Sequence, residues 1–423
     1  MELLPREIEK EVKEILNNTG KFILIIGLRQ VGKTSLLKKL ESELKNSYYL
    51  TLEDEENLEF FIKRTKEFVE YYIEEGIKFL LVDEIQYDKE FSKRLKLIYD
   101  LYRDKIRIIA TGSGLFNKKD NLGKLVGRVF LLKMKPLSFK EFVLWKDKLL
   151  FKFFEKAQNE ILKFLDNKNV NLKNLEIPNE DKLFELFKEY LVYGGMPDVV
   201  LQKNYSIKEK LLRQIVDLWL EKDIFSIVEI RKKKEFKDLL IYLALNNGSI
   251  INYSNLSREL NLKYETLKDY LSILEDAFII KFLRPFFTNK AKEIVKDSKI
   301  YFIDLGIRNS IVQDFRKFEL RENNIKSSLL ENFVLNELSS YFENIKYWRR
   351  KSNENYEIDF IIEKESELIP IEAKSNKKLE KGFNFFIESY KEKVKKGLKF
   401  NLNEEVLFKV NNVNVLSVKY WKF

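Results

Sequence analysis

One short segment constrains the fold of this chain more than any other. Residues 27–34 read GLRQVGKT and fit the pattern G-x-x-x-x-G-K-[ST] at every fixed position. The apolar run Lys21–Ile26 before them is short enough for a buried strand, and a helical pattern begins at Lys33. A strand, a glycine-containing loop and a helix in this order predict a phosphate-binding loop within an α/β fold.

The loop predicts a site for ATP and Mg²⁺. Its glycines let the chain curl so that backbone N–H groups point at phosphate oxygens. We expect Lys33 to reach the β- and γ-phosphates and the hydroxyl of Thr34 to coordinate Mg²⁺. A chance match is the alternative, but it explains neither the strand before the loop nor the helix after it. The predicted nucleotide contacts in the loop are Gly27, Leu28, Arg29, Gln30, Val31, Gly32, Lys33, Thr34 and Ser35.

A second apolar run ends in two adjacent acids. Residues 79–84 read FLLVDE, so Asp83 and Glu84 stand at the carboxyl end of a predicted buried strand. Buried carboxylates are unfavourable without a partner, which favours a functional role for this pair. We expect Asp83 to hold Mg²⁺ through a water molecule, and Glu84 to act with Lys33 in catalysis by polarising the attacking water. The alternative for Glu84 is a capping role at the start of the next helix.

Two further segments supply candidates for contact with the γ-phosphate. Residues 108–113 read IIATGS and end the next predicted strand at the same edge of the sheet, where Thr111 or Ser113 can act as a polar sensor. The alternative is a Thr-Gly-Ser turn without such a role. Arg128 follows Gly127, and an arginine after a flexible glycine can neutralise γ-phosphate charge in its own chain or in a neighbouring copy. The alternative is an ordinary surface arginine.

The composition narrows the chemistry available to the rest of the chain. The sequence contains no cysteine and no histidine, which excludes disulfides, thiolate nucleophiles, histidine bases and zinc sites built on these residues. A metal must then be held by oxygen, which favours Mg²⁺ or Mn²⁺. The net charge of +10 is compatible with binding to nucleic acid or to an acidic partner. It is equally compatible with the lysine-rich protein composition that an AT-rich genome encodes. No apolar stretch approaches the ~18 residues of a membrane helix, so we expect a soluble, cytoplasmic protein without membrane contact.

Between residues 231 and 305 the pattern is that of a winged helix-turn-helix. Three predicted helices and two predicted strands follow in order: Phe236–Leu245, Tyr253–Leu260, Tyr264–Leu274, Phe278–Leu283 and Lys299–Ile303. In DNA-binding versions of this motif the later helix enters the major groove. The exposed face of that helix offers no Arg, Asn or Gln to read bases, so we expect contact with the DNA backbone only. The predicted DNA contacts are Lys263, Lys268, Lys290 and Lys292, and the alternative is a protein-contact module.

Near the C-terminus, acids and a lysine stand at the ends of two neighbouring strand patterns. Asp359 ends one pattern, Glu372 and Lys374 end the next, and Glu331 begins a predicted helix upstream. Residues two apart on a strand point the same way, so Glu372 and Lys374 are expected to face Asp359. The arrangement resembles the PD-(D/E)XK nuclease fold, in which Asp and Glu hold Mg²⁺ and Lys aligns the attacking water.

This resemblance implies specific roles. A metal ion is expected at Asp359 and Glu372, and Asp359, Glu372 and Lys374 are the expected catalytic residues. The alternative is that Lys374 only pairs with Glu372, because E-x-K is a common strand pattern. A nuclease-like fold that has lost turnover is also compatible with these residues.

Several longer segments resemble a widespread archaeal and bacterial AAA+ family. These segments are GLRQVGKTSLL, LVDEIQ, ATGSGLF, LVGRVFLLKMKPLSFKEF, YLVYGGMPDVV, SKIYFIDLGIRNSIV, LLENFVLNEL and IEAK. The loop and the acidic strand end are shared with many P-loop proteins, whereas GGMPDVV and KIYFIDLGI are more particular to this family. The resemblance implies an ATP-binding core and a C-terminal domain of uncharacterised function.

Together these patterns predict a fold and a function. The fold class is α/β: an AAA+ P-loop NTPase with a parallel sheet, a helical lid, a winged helix and a small restriction-nuclease-like domain. The predicted boundaries are 1–145 for the ATPase core, 146–230 for the lid, 231–305 for the winged helix and 306–423 for the nuclease-like domain. We expect an Mg²⁺-dependent ATPase that acts on or with nucleic acid, and a protein partner or a homo-oligomer is left open. The alternative is a nucleotide-controlled switch that binds a protein partner and carries an inactive nuclease-like domain.

Overall fold

The chain divides into two compact units, each assembled from separate stretches of sequence. The computed structural model describes residues 4–114, 123–225, 230, 232–289, 291, 293, 297–350, 356–374 and 379–423. Unit 1 contains Met1–Pro136, Asp217–Arg231 and Leu271–Ile279, and unit 2 contains Leu137–Val216, Lys232–Tyr270 and Ile280–Phe423. The four-part domain plan drawn from the sequence stays a prediction.

A parallel sheet forms the core of unit 1. In the described part of the chain its strands are β1 (Phe22–Gly27), β2 (Ser47–Thr51), β3 (Phe79–Asp83), β4 (Arg107–Ser113) and β5 (Val129–Met134). They pair in the order β2-β3-β4-β1-β5, and every pair is parallel. Strand β1 is buried along its whole length, as expected for a strand covered on both faces. The predicted α/β fold with a parallel sheet is confirmed, although β5, which is largely half-buried, carries only a weak strand signal in the sequence.

The strand order brings three polar strand ends together. Strand β4 lies between β1 and β3, so Ser113 at the end of β4 stands in register with Gly27 at the end of β1. Asp83 ends β3 on the other side of β4. In parallel sheets, ligands bind beyond the carboxyl ends of the strands where the chain connections diverge. The chain leaves β1 toward β2 on one side and leaves β4 toward β5 on the other, so this crevice falls at the predicted loop.

Helices and a π-helical turn complete unit 1. They are α1 (Ile8–Asn18), α2 (Lys33–Glu43), α3 (Glu55–Lys63), α4 (Thr65–Glu74), α5 (Phe91–Tyr102) and the π-helical turn Trp219–Ile224. Helix α2 buries Leu36, Leu37 and Leu40 and contacts β1, β3 and β4, which fixes the first turn after the loop. The sequence pattern predicts a single helix over residues 59–75. The chain instead breaks at Arg64, whose φ of −138° and ψ of 51° are not helical.

The remaining helices lie wholly or mostly in unit 2 and supply part of its core. They are α6 (Phe139–Lys146), α7 (Lys148–Leu165), α8 (Glu180–Tyr193), α9 (Pro197–Leu201), α10 (Tyr205–Leu218), α11 (Lys233–Leu245), α12 (Tyr253–Glu259), α13 (Tyr264–Asp276), α14 (Leu305–Ile311), α15 (Asn323–Leu338) and α16 (Lys381–Ser389). Short 3₁₀ turns lie at Ile85–Tyr87, Gly123–Leu125, Leu172–Leu175, Phe318–Leu320 and Tyr420–Lys422. Phe333 of α15 packs edge-on against Phe139 of α6 and Phe187 of α8, with ring centroids 5.6 and 4.9 Å apart. Such aromatic contacts hold these three helices together.

Two sheets lie in unit 2. Strands β6 (Ile280–Leu283) and β7 (Lys299–Phe302) form an antiparallel pair. A larger mixed sheet contains, within the described residues, β8 (Ile345–Arg349), β9 (Glu357–Lys364), β10 (Glu367–Ala373), β11 (Lys396–Asn401), β12 (Val406–Val410) and β13 (Val413–Lys419), in the order β12-β13-β11-β10-β9-β8. Strands β9 and β10, the two neighbouring strand patterns of the sequence, form an antiparallel hairpin. Helices α11 to α13 followed by β6 and β7 match the element order of a winged helix, and the winged-helix assignment itself stays a prediction.

A tight joint in unit 2 explains two of the sequence segments that resemble the AAA+ family. Gly195 in GGMPDVV donates its N–H to Oδ2 of Asp304 in FIDLG at 2.7 Å. Gly194 has a φ of +68°, and a Cβ there would come within 2.3 Å of Oδ1 of Asp304. A Cβ on Gly306 would come within 2.1 Å of the carbonyl oxygen of Tyr193. Because the backbones meet this closely, glycine is required on both sides of the contact.

Candidate functional site

The loop between β1 and α2 has a tightly curled backbone that depends on its glycines. A Cβ on Gly27 would come within 2.3 Å of the carbonyl oxygen of Met134 on β5. Gly32 has a φ of 99° and Gln30 a φ of 60°, so the chain turns twice through the left-handed region before α2 begins. We call residues 27–34 the nucleotide loop. The side chains of Leu28 and Val31 are buried beneath it.

Lys33 folds back into the nucleotide loop. Its Nζ donates to the carbonyl oxygens of Gly27 at 3.1 Å and Leu28 at 2.8 Å, and the residue is 6% exposed. Burial lowers the pKa of this amine, while the nearby carboxylates of Glu84 and Asp223 oppose the shift. A cation held inside a curled loop is the arrangement that phosphate recognition requires. Ser35 lies one residue beyond the loop, exposed in the first turn of α2.

Asp83 is the centre of the polar network beside the loop. Its Oδ2 accepts a hydrogen bond from Oγ1 of Thr34 at 2.6 Å and from the hydroxyl of Tyr49 at 3.1 Å. Its Oδ1 accepts from the hydroxyl of Thr111 and, at 3.0 Å, from the backbone N–H of Glu84. The structure therefore brings together both groups that the sequence predicts as ligands of Mg²⁺. Hydroxyl and carboxylate oxygens are the donor set this ion prefers.

Glu84 is half-buried next to Asp83 and adopts a left-handed conformation, with a φ of 58°. Burial raises the pKa of its carboxyl group, and Lys33 is the strongest opposing influence. The side-chain amide of Gln86 donates to Glu84, and the amide oxygen of Gln86 accepts from the backbone N–H of Ser113 at 3.1 Å. Within the described residues the carboxylate makes no capping hydrogen bond to the 3₁₀ turn that follows. The capping alternative is therefore not what the structure shows, and the catalytic role of Glu84 stays a prediction.

Ser113 supplies an independent sign of a ligand site. The residue is 5% exposed, and its hydroxyl has no hydrogen-bond partner in the described part of the chain. It stands in register with Gly27, beside the nucleotide loop. Buried hydroxyl groups are almost always bonded, so an unpaired one at this place fits a phosphate oxygen or a metal-bound water. Thr111, the other predicted sensor, uses its hydroxyl on Asp83 instead.

The two predicted arginines lie at opposite ends of β1. Arg29 is in the nucleotide loop, where its Nε lies 3.1 Å from Oδ1 of Asp223. The carbonyl oxygen of Arg128 accepts the N–H of Phe22 at 3.1 Å, which places Arg128 beside the start of β1. Its Nε lies 2.7 Å from Oδ1 of Asp100 on α5. The structure does not bring Arg128 to the nucleotide loop of its own chain, and action on a neighbouring copy stays a prediction.

A second polar site lies in unit 2 and contains the predicted nuclease-like residues. Asp359 on β9 accepts the backbone N–H of Ala373 on β10 at 2.9 Å, which fixes it beside Glu372. Nζ of Lys374 lies 3.3 Å from Oδ1 of Asp359 and 3.4 Å from Oε1 of Glu331. We call Glu331, Asp359, Glu372 and Lys374 the carboxylate–lysine cluster. The predicted juxtaposition of these residues is found in the structure.

Three expectations about this cluster need correction. Asp359 does not end a strand, because β9 runs from Glu357 to Lys364 and contains Asp359 near its start. Glu331 does not begin a helix, because α15 runs from Asn323 to Leu338 and contains Glu331 near its middle. The polar residues of its first two turns hide the true start in the sequence. Among the described residues the ion-pair partners of Lys374 are Asp359 and Glu331, and Glu372 is not one of them. The simple alternative of a Glu372–Lys374 pair is therefore not what the structure shows.

Further charged and aromatic residues join the cluster without a signal in the sequence. Lys299 on β7 is buried, and its Nζ lies 2.5 Å from Oε1 of Glu357 on β9. The hydroxyl of Tyr301 donates to Oε2 of Glu331 at 3.3 Å. The K-x-Y pattern of β7 looks like ordinary strand alternation, so only the fold reveals that both side chains meet the acids.

Three buried polar atoms around the cluster have no hydrogen-bond partner among the described residues. They are Oε2 of Glu372, Nζ of Lys399 and the hydroxyl of Tyr420. Glu372 and Lys399 face each other in the parallel register of β10 and β11. Burial, assisted by the charge of Asp359, raises the pKa of Glu372 to about 7. Unpaired buried groups of this kind call for a ligand, an ion or water.

The number of acidic side chains in the cluster limits how many ligands it can offer to a metal ion. No group of three or more acidic side chains is placed to hold a metal ion in the residues that the structure describes. Asp359 and Glu372 are a pair, and the amine of Lys374 lies beside Asp359. A metal ion bound by this pair needs water or a substrate to complete its coordination shell. The metal role of Asp359 and Glu372 stays a prediction.

The basic face predicted for DNA contact is partly described. Lys263, Tyr264 and Lys268 are exposed at the start of α13, and Nζ of Lys268 lies 4.5 Å from the ring centroid of Tyr264. Lys290 and Lys292, the other two predicted contacts, lie outside the described residues. The described helices also include none long and apolar enough to cross a membrane.

Comparison with known proteins agrees with the loop geometry. A family model described as an AAA domain matches residues 19–143. Two further models, each described as a domain of unknown function, match residues 184–318 (DUF8612) and 326–421 (DUF4143). The nucleotide loop, the acids that end β3 and the AAA-domain match together define an AAA protein of the P-loop type, a class that binds ATP.

The family itself is shown by a relative. The chain is 31% identical over 368 residues to uncharacterized protein MJ1544 of Methanocaldococcus jannaschii, covering 83% of this chain and 74% of the relative, and it belongs to the same family. An uncharacterized protein of Haemophilus influenzae is 26% identical, with 83% of this chain and 82% of that protein covered. Among solved structures, AMPPCP-bound DnaA from Aquifex aeolicus matches at 16% identity and a TM-score of 0.29, covering 63% of this chain and 86% of that chain.

Proposed function

We propose that this protein hydrolyses ATP with Mg²⁺ at the nucleotide loop, and that it acts on or with nucleic acid through its C-terminal region. The proposal is carried by the contact of Thr34 with Asp83, 2.6 Å between Oγ1 and Oδ2, with Glu84 next in sequence and bonded to Asp83. A hydroxyl and a carboxylate that meet beside a buried lysine suit an Mg²⁺–triphosphate substrate. The adjacent acid then has the place of a residue that activates water.

Each of these side chains has a separate task in hydrolysis. Lys33 offsets charge on the β- and γ-phosphates, while Thr34 and Asp83 hold the Mg²⁺ that comes with ATP. Glu84 accepts a proton as the water oxygen bonds to the γ-phosphorus. The bond from that phosphorus to the β–γ bridging oxygen breaks, and its electron pair leaves with ADP. Burial raises the pKa of Glu84, which makes its carboxylate a stronger base than an exposed one.

The first experiment measures phosphate release by the purified full chain. We expect hydrolysis that requires Mg²⁺, stops when a chelator is added, and accelerates with single-stranded, duplex or branched DNA. Absence of hydrolysis under all of these conditions rejects the proposal. Mg²⁺-dependent hydrolysis that no DNA alters would instead favour a nucleotide-controlled switch with a protein partner.

The carboxylate–lysine cluster supports a second candidate function, metal-dependent cleavage of phosphodiesters. The observation in its favour is the unpaired Oε2 of buried Glu372 beside Asp359, with Lys374 3.3 Å from Asp359. Two carboxylates can offset part of the charge of a divalent ion, which lowers the pKa of bound water for attack on phosphorus. Lys374 can stabilise the negative charge that develops in that step.

A cleavage assay tests this second function. Plasmid and branched DNA are incubated with the full chain and Mn²⁺ or Mg²⁺, with and without ATP. We expect nicks that depend on the added metal. If no DNA form is cut with either metal, the cluster is a binding or structural site, and the switch hypothesis gains support.

A further inference from the structure

Arg29 occupies a special place in the nucleotide loop. It is the third residue of GLRQVGKT, between the two glycines that shape the loop. Its Nε lies 3.1 Å from Oδ1 and 3.3 Å from Oδ2 of Asp223, and the side chain remains 29% exposed. The loop thus carries a second cation besides Lys33, and that cation is held from outside the loop.

Asp223 is built to hold this arginine. It is 3% exposed and lies in the π-helical turn Trp219–Ile224 of unit 1. Single π-helical turns inside helices occur frequently at functional sites. Burial raises the pKa of Asp223, and Arg29 provides the main opposing influence. A buried carboxylate is unfavourable without a cation, so the ion pair stabilises Asp223 and at the same time restrains the side chain of Arg29.

The bond geometry leaves part of the guanidinium for another ligand. Both oxygens of Asp223 are approached by Nε, and among the described residues none accepts a hydrogen bond from the terminal nitrogens of Arg29. An arginine carries five N–H donors in a planar fork, so it can bind a carboxylate and a phosphate at once.

The surroundings of Arg29 locate it on the γ-phosphate side of the loop. The loop that carries Arg29 begins at Gly27, which stands in register with Ser113. The backbone N–H of Ser113 donates to the side-chain amide of Gln86, and that amide donates to Glu84. Glu84 is the residue proposed to face the attacking water, which must stand in line with the γ-phosphorus. A cation in this loop is therefore close to where the γ-phosphate oxygens gain charge.

We propose that Arg29 is a catalytic residue that stabilises the γ-phosphate during hydrolysis in its own chain, and that Asp223 is the positioning residue that aims it. This inference rests on the proposed ATPase function. As water bonds to the γ-phosphorus and the bond to the β–γ bridging oxygen breaks, charge spreads over the γ-phosphate oxygens, and a guanidinium already in place neutralises it. Arg128, at the other end of β1, cannot serve this purpose in the same chain.

The test compares variants of the full chain in steady-state ATP hydrolysis, which gives kcat. Arg29→Ala should lower kcat by a factor of about 10³ or more, the range reported for removal of such arginines, with ADP affinity unchanged. Asp223→Asn keeps the shape but loses the charge, and should lower kcat less. The readout specific to catalysis is affinity for ADP with aluminium fluoride, a mimic of the transition state, which both variants should weaken relative to ADP alone.

Two controls separate catalysis from folding. Arg94→Ala removes an arginine from a matched pair in unit 1, with Nε 3.0 Å from buried Asp88, and should leave kcat unchanged. The double variant Arg29→Ala with Asp223→Asn leaves no buried charge unpaired. It should remain as slow as Arg29→Ala, whereas recovery of kcat in the double variant would show that Arg29 only neutralises Asp223 and would overturn the inference.

The outcomes also separate this inference from the function on which it rests. If the unaltered chain hydrolyses ATP and Arg29→Ala does so at the same rate, the inference fails and the ATPase proposal stands. If the unaltered chain does not hydrolyse ATP, both fail. A slow Arg29→Ala with normal ADP affinity and lost aluminium fluoride affinity supports both.

Discussion

The nucleotide loop of unit 1 and the carboxylate–lysine cluster of unit 2 satisfy their polar groups in different ways. Beside the loop, Asp83 accepts hydrogen bonds from several neighbours, and only the hydroxyl of Ser113 stands out as unpaired in the described residues there. Around the cluster, Glu372, Lys399 and Tyr420 each keep a buried atom without such a partner. The polar groups around Asp83 are therefore satisfied mainly within the protein, whereas the buried polar atoms of the cluster need a ligand, an ion or water as partner.

The sites also differ in how the chain supplies them. The nucleotide loop is one contiguous segment, and its acids follow from the end of a neighbouring strand. The carboxylate–lysine cluster draws on α15, β9 and the end of β10, with further residues from β7 and β11. A contiguous site keeps its geometry through local backbone constraints, while a dispersed site requires the whole fold to be correct. We therefore expect substitutions in the nucleotide loop to alter ATP binding or hydrolysis, and substitutions in the carboxylate–lysine cluster to leave both unchanged.

The largest expected effect on binding is that of a substitution in the nucleotide loop. Lys33→Ala should lower ATP affinity on the order of 100-fold or more, since each charge-assisted hydrogen bond contributes about 1.5–3 kcal/mol and this lysine is expected to make several. Calorimetric titration measures the change. Lys39→Ala, in the same helix and paired with Glu9 at 2.8 Å, is the matched control and should bind ATP normally. Equal affinity in both variants would remove the basis for the nucleotide site.

The next expected effect is on metal-dependent cleavage by the carboxylate–lysine cluster. Asp359→Asn should eliminate any metal-dependent cleavage while leaving ATP hydrolysis unchanged, because the two proposed sites share no residue. Glu331→Gln should weaken cleavage less, since its carboxylate contacts Lys374 at 3.4 Å and is not one of the predicted metal ligands. Asp181→Asn on the exposed start of α8 controls for general effects of the substitution. Cleavage that survives in Asp359→Asn would point to a contaminant or to another site.

The smallest effect concerns DNA contact. Binding should be weak, tolerant of sequence and sensitive to salt, with a log–log slope of about −2 if Lys263 and Lys268 each neutralise a phosphate. Lys263→Ala should reduce that slope by about 1, whereas Lys148→Ala at the exposed start of α7 should not. Fluorescence anisotropy across a salt series measures this. Affinity that does not vary with salt, or that depends strongly on one sequence, would contradict backbone recognition.

Much of the nucleotide site can be predicted from the sequence because its signals are local. The loop pattern with its strand and helix, and the acids that end β3, are sufficient to identify Lys33, Thr34, Asp83 and Glu84. The GLRQVGKT and FLLVDE segments each carry their function within a few residues, so no long-range information is needed.

The rest depends on contacts between distant parts of the chain. Tyr49 and Asp223 reach the nucleotide site from a strand and a π-helical turn that carry no recognisable motif. Arg128 follows a glycine, which makes it a candidate for contact with the γ-phosphate. Its carbonyl oxygen, however, accepts the N–H of Phe22, so it lies beside the start of β1, far from the loop. Lys399 looks like an ordinary strand lysine until the register of β10 and β11 sets it opposite Glu372. Register and strand order decide these placements, and neither can be read from one sequence.

The most direct test of the account is the behaviour of Glu84→Gln. The amide keeps the shape of the side chain but cannot accept a proton, so the variant should bind ATP with normal affinity and hydrolyse it about 10²–10⁴-fold more slowly. ATP binding by calorimetry and phosphate release in a single turnover, measured on the same preparation, give both quantities. Normal binding with nearly abolished release is the predicted result. Phosphate release at the unaltered rate would contradict the central claim that this site hydrolyses ATP with Glu84 as its base.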